Sequence, residues 1–162
     1  MRKKIVAGNW KMNLLRDEAL SLHNGVSSAL SNPLCDVYHF APTIYLADLI
    51  DSKSATIKTG AQNGYDKPNG AFTGEVSINQ LKNLGVSAIL VGHSERRQLF
   101  GESHKMLKLK VDAAIGEDLT AFFCCGETLD QRERGEHEKV VINQLKESLF
   151  HLSSSLSHSH YQ

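Results

Sequence analysis

Ser87-Ala88-Ile89-Leu90-Val91-Gly92-His93-Ser94-Glu95-Arg96-Arg97 is the stretch on which the fold reading turns. Ser87–Val91 is almost wholly apolar, the composition of a strand covered on both faces. A short helix follows from Ser94, whose hydroxyl suits a helix cap. The same strand-then-helix alternation extends in both directions. Before it, Lys4–Asn9 reads as a strand and Arg16–Leu30 as a helix carrying Leu20, Val26 and Leu30. Asp36–Ala41 reads as a second strand, and Thr43 as the cap of a short helix through Ile50. Thr56–Gln62 reads as a third strand. Ser77 can cap a helix to Leu84 that Gly85 ends. After it, a helix is expected over Ser103–Ile115 and a fifth strand over Leu119–Cys124. A last helix should start near Gly135, with Ile142, Leu145, Leu149, Leu152 and Leu156 stepping by three and four along its buried face.

Five β-then-α units in a row imply a parallel sheet covered by helices. An open doubly wound sheet and a (β/α)8 barrel both fit, and the pattern alone does not choose. No G-x-G-x-x-G follows the first strand, which argues against a dinucleotide site. Residues 1–162 read as a single domain without internal repeats or linkers. The only biased stretch is Ser153–Gln162, rich in Ser and His.

Composition excludes several function classes. Hydrophobic residues make up 41% and charged residues 22%, as in a globular chain. The 18 basic and 18 acidic residues balance, so neither a nucleic-acid footprint nor a membrane-surface partner is expected. The apolar run after Met1-Arg2-Lys3-Lys4 is too short for a signal peptide. Cys35, Cys124 and Cys125 show no metal spacing and suit a reducing, cytoplasmic setting. The vicinal pair is expected to alternate, one thiol facing inward and one facing the helices. His151, His158 and His160 lack the companions of a metal site, so no metal is expected.

Polar residues gather just past the strand ends: Asn9 and Lys11 after the first, His93 and Glu95 after the fourth, Gly126 and Glu127 after the fifth. That edge of a parallel α/β fold is where active sites are built. At a helix N-terminus, partial positive charge disfavours an imidazolium at His93, and a neutral ring N–H can polarise a carbonyl. Lys11 adds a fixed positive charge suited to an anionic substrate or developing oxyanion. Together they make an electrophilic half-site in need of a base.

Five segments resemble motifs of the triosephosphate isomerase family, in the family's order. They are Val6-Ala7-Gly8-Asn9-Trp10-Lys11-Met12-Asn13, Gly60-Ala61-Gln62-Asn63, Gly70-Ala71-Phe72-Thr73-Gly74-Glu75, Val91-Gly92-His93-Ser94-Glu95-Arg96-Arg97 and Cys124-Cys125-Gly126-Glu127-Thr128. The resemblance runs the length of the chain. It implies a TIM (β/α)8 barrel, here its first five units, and a homodimer when full length. It implies no cofactor and a triose phosphate substrate, dihydroxyacetone phosphate interconverting with glyceraldehyde 3-phosphate in glycolysis and gluconeogenesis. Asn9 and Lys11 would contact substrate and Glu95 would accompany the lysine. His93 would be the neutral electrophile, a role already known for the family. Cys124 would pack beside the catalytic centre. The loop Gln62–Glu75, with Phe72 and Thr73, would enter the neighbouring subunit. Its length and its apolar Tyr65 and Phe72 fit that role, and fit equally an Ω-like loop folded on its own chain.

The resemblance also implies elements without a match among the 162 residues: a glutamate base after a sixth strand, the loop that closes over substrate, and the phosphate-binding backbone after strands seven and eight. A complete barrel takes ~250 residues. The expectation is a parent isomerase of which this is part, with the chain alone inactive. Two alternatives are a non-catalytic binding or assembly partner acting through the dimer loop, and completion of the barrel by a second polypeptide.

Overall fold

The computed structural model describes residues 3–152. Strands β1 (Ile5–Asn9), β2 (Asp36–Ala41), β3 (Ile57–Ala61), β4 (Ala88–Val91) and β5 (Thr120–Phe123) form one parallel sheet in the order β1-β2-β3-β4-β5. Each strand is thus hydrogen-bonded to the next in sequence, as in a barrel wall, and no strand order reverses as it would in a doubly wound sheet. The sheet is a partial TIM barrel of five strands. Among the described residues β1 and β5 are its outer strands and do not pair with each other.

The helices are α1 (Arg16–Ala29), α2 (Leu46–Asp51), α3 (Ile78–Leu84), α4 (Ser94–Leu99), α5 (His104–Gly116), α6 (Leu129–Glu133) and α7 (His137–Leu149). The caps expected at Ser77 and Gly85 hold: Ser77 Oγ accepts from the N–H of Gln80, and Gly85 takes φ +104°. Thr43 begins a single 3-10 turn to Tyr45 rather than an α-helix, because α2 starts only at Leu46. Ser94 is the first helical residue of α4, and His93 itself is the cap. The sequence reading missed α6, although Thr128 and Gln131 form a reciprocal capping box there, a signature visible in the chain.

Alternation sorts the strand side chains. Ile89 and Val91 of β4 join Leu46, Leu49, Ile78, Leu81, Leu107 and Val111 in the layer between sheet and helices. Ala88 and Leu90 face the concave side with Tyr38, Phe40, Phe122 and Cys124. The Phe122 ring stands edge-on to Tyr38 at 4.9 Å and to Phe40 at 5.0 Å. Cys124 therefore packs inward while Cys125 is exposed.

The buried face of α7 departs from the expected apolar stripe. Ile142 is 47% exposed, and Gln144 and Ser148 are the buried residues. The reason is hydrogen bonding. Gln144 donates from Nε2 to the Gly126 carbonyl at 2.8 Å and accepts from the Gly126 N–H at 2.9 Å. An apolar residue there would leave both backbone groups without a partner. Leu149 and Leu152 do pack on the core; Leu156, His158 and His160 lie outside the described residues.

Candidate active site

A cleft of about 380 Å³ opens at the carboxyl rim of the sheet, lined by Asn9, Lys11, Gln62, His93, Glu95 and Arg96 among others. The four polar residues singled out from the ends of β1 and β4 are thus brought together. Lys11 Nζ donates to Glu95 Oε1 at 2.7 Å. That bond, opposed only in part by burial, holds the Glu95 carboxyl below the usual carboxylate range.

Lys11 adopts φ +54°, a conformation that costs a non-glycine residue about 1 kcal/mol or more. Two contacts hold it there. Its N–H donates to Asn9 Oδ1 at 3.0 Å, and its carbonyl accepts from Gln62 Nε2 at 2.9 Å. The same Gln62 nitrogen reaches the Phe40 carbonyl at 2.9 Å, tying the ends of β1, β2 and β3. Gln62 opens the long loop, yet its side chain serves the rim, which its sequence position did not suggest. With Oδ1 of Asn9 committed to Lys11, the donating Nδ2 is the end of that amide left for an oxygen in the cleft.

His93 is partly buried, and its Nδ1 accepts from the Glu95 N–H at 3.4 Å. Oε2 of Glu95 lies equally far from Nδ1, at 3.4 Å. The N–H belongs to the first turn of α4 and has no helical acceptor, so Nδ1 serves as its acceptor. A neutral ring that accepts at Nδ1 carries its proton on Nε2.

The remaining sequence candidates lie apart from this cleft in the single chain. Phe72, Thr73 and Glu75 sit on the exposed stretch 67–75. The loop is closed at its root, where Tyr65 N–H donates to the Val76 carbonyl and the Ile78 N–H to that of Tyr65. Phe72 packs back on the Tyr65 ring at 4.6 Å, so the loop is both folded on itself and presented outward.

Sequence reasoning overlooked a buried charge cluster behind the rim. Glu102, with a side chain 2% exposed, accepts from Arg96 Nε at 2.6 Å and from Lys110 Nζ at 2.5 Å. Lys110 also donates to Asn63 Oδ1 at 2.7 Å, linking the loop root to α5. Charges are seldom buried so fully unless paired, and sequence gives no sign of which ones meet.

A parallel β/α wall with its polar residues converging at the carboxyl rim defines a barrel-type enzyme scaffold. The family model for triosephosphate isomerase matches residues 4–160, and the chain belongs to that family. It is 47% identical over 156 residues to the triosephosphate isomerase of Cytophaga hutchinsonii, covering 94% of this chain and 62% of that protein. Over 157 residues it is 43% identical to that of Flavobacterium psychrophilum, covering 96% and 63%. Over 159 residues it is 45% identical to that of Bacteroides fragilis, covering 95% and 62%. The chain thus spans less than two thirds of the length of these relatives.

Proposed function

We propose that the whole protein interconverts dihydroxyacetone phosphate and glyceraldehyde 3-phosphate by proton transfer through an enediolate. The observation that carries this reading is the convergence of Asn9, Lys11, His93 and Glu95 in one cleft at the carboxyl rim. The Nε2–H of His93 and the Nδ2–H of Asn9 would hold the substrate's oxygens as negative charge develops, and the Lys11 ammonium would balance that charge. Glu95 would keep Lys11 in place.

A base must remove the carbon-bound proton. Glu95 is engaged by Lys11, and Glu127 by Arg132 at 2.9 Å. The glutamate base that the family resemblance implies has no match among the 162 residues, so this chain alone is proposed to be inactive. The exposed tip at 67–75 is proposed to meet a second copy, Thr73 reaching that copy's cleft. Met12, Leu15 and Ile44, 95%, 73% and 77% exposed, add apolar surface that a partner would cover. No described helix is long and apolar enough to cross a membrane. A cytoplasmic location is proposed, consistent with the three free cysteines.

The test is an isomerase assay on the full-length protein beside the 162-residue chain. Turnover by the first and a blank rate from the second are expected. An inert full-length protein removes the functional reading; turnover by the short chain overturns its inactivity.

A further inference from the structure

Gly92 has φ +76°, the bend by which the chain leaves β4 and turns into α4 with His93 at the cap. One side chain grips that bend. Arg97 donates from Nε to the Gly92 carbonyl at 2.6 Å and from Nη2 to the Cys124 carbonyl at 2.8 Å. Its own N–H donates to the His93 carbonyl at 3.1 Å, so backbone and side chain of Arg97 bracket residues 92 and 93. The Phe123 ring lies under the guanidinium at 5.3 Å, and His104 Nδ1 stands 3.4 Å from Nη1. The fit is tight: a Cβ on Gly92 would come within 2.7 Å of Nη2.

We propose that Arg97 is a positioning residue: its guanidinium locks the Gly92 bend against the end of β5, and so fixes the His93 ring with Nδ1 facing the Glu95 N–H and the proton on Nε2. The inference rests on the reading of His93 as the carbonyl-polarising group. It goes further in naming what sets its orientation. A planar fork is needed because two carbonyls, one just past β4 and one just past β5, must be held at once. A lysine ammonium keeps the charge but not the geometry.

The test uses the full-length protein labelled with nitrogen-15 at histidine, reading the His93 tautomer from its two ring-nitrogen resonances. In the parent chain the two resonances should be widely separated, Nε2 protonated and Nδ1 not. In Arg97→Lys, with unchanged circular dichroism, they should move toward each other as the tautomers mix. Phe123→Leu should shift them the same way by less, and serves if Arg97→Lys does not fold. A folded Arg97→Lys with unmoved resonances overturns the proposal, as does an unmoved Phe123→Leu when it alone folds. A parent ring already protonated on Nδ1 overturns it too. The readout does not depend on turnover, so failure here is distinct from an inert full-length protein.

Discussion

Lys11 Nζ stands 2.7 Å from Oε1 of Glu95, joining the rim beyond β1 to the first turn of α4 across 84 residues of chain. Both side chains are about half exposed, 51% and 44%, so the pair adds little to global stability. The role proposed for it is to aim a positive charge into the cleft. Lys11→Met in the full-length protein should lower kcat/KM by on the order of 10²-fold or more while the thermal midpoint scarcely moves. Steady-state kinetics beside a melting curve checks this; an unchanged kcat/KM would remove Lys11 from the site.

His39 of β2 and His23 of α1 bring their Nδ1 atoms within 3.3 Å in a buried setting, beside the Trp10 ring at 5.1 Å from His39. Burial, reinforced by the second imidazole, pushes the His39 pKa down to about 4, and burial lowers that of His23. The unfolded chain therefore binds more protons between about pH 6.5 and pH 4. Stability should be full above that window and fall through it on acidification, with His39 contributing a loss on the order of 3 kcal/mol. Urea midpoints from pH 7 to pH 4 should slope downward in the parent and flatten in His39→Gln. Parallel slopes would refute the assignment.

Burial by itself would raise the Glu102 pKa, but hydrogen bonds from Lys110 and Arg96 outweigh it and hold the carboxyl low. Removing the carboxylate leaves the Lys110 ammonium, 5% exposed, without its counter-charge. Glu102→Gln should cost about 3–5 kcal/mol, the usual effect of breaking a buried pair from one side. Glu102→Leu combined with Lys110→Met should recover much of that. Denaturant unfolding of Glu102→Leu, Lys110→Met and the double completes the cycle, and additive losses would contradict the coupling.

Gly60 of β3 lies against Phe40 of β2, where an added Cβ would fall 2.4 Å from the ring. Phe40 is 0% exposed and hemmed in by Phe122, so it has little room to retreat. Gly60→Ala should destabilise the chain by about 1–3 kcal/mol through overpacking. A denaturation midpoint equal to the parent's would show that the concave cluster yields more readily than its contacts suggest.

Local signals in the chain were enough to determine the alternation of strands and helices, the Ser77 and Gly85 caps and the gathering of polar residues at the strand ends, because periodicity and capping act over a few residues. Family motifs then chose between barrel and open sheet where the pattern alone did not. The tertiary structure decided what depends on distant partners. It turned Gln62 toward the rim, buried Gln144 in place of Ile142 against a lone backbone pair, and enclosed Glu102 with Lys110. Hydrogen bonds and ion pairs between residues 51, 18 and 8 positions apart, outside any helix or strand repeat, leave no periodic trace in a sequence. Their energies become favourable only once the fold has removed both partners from water together.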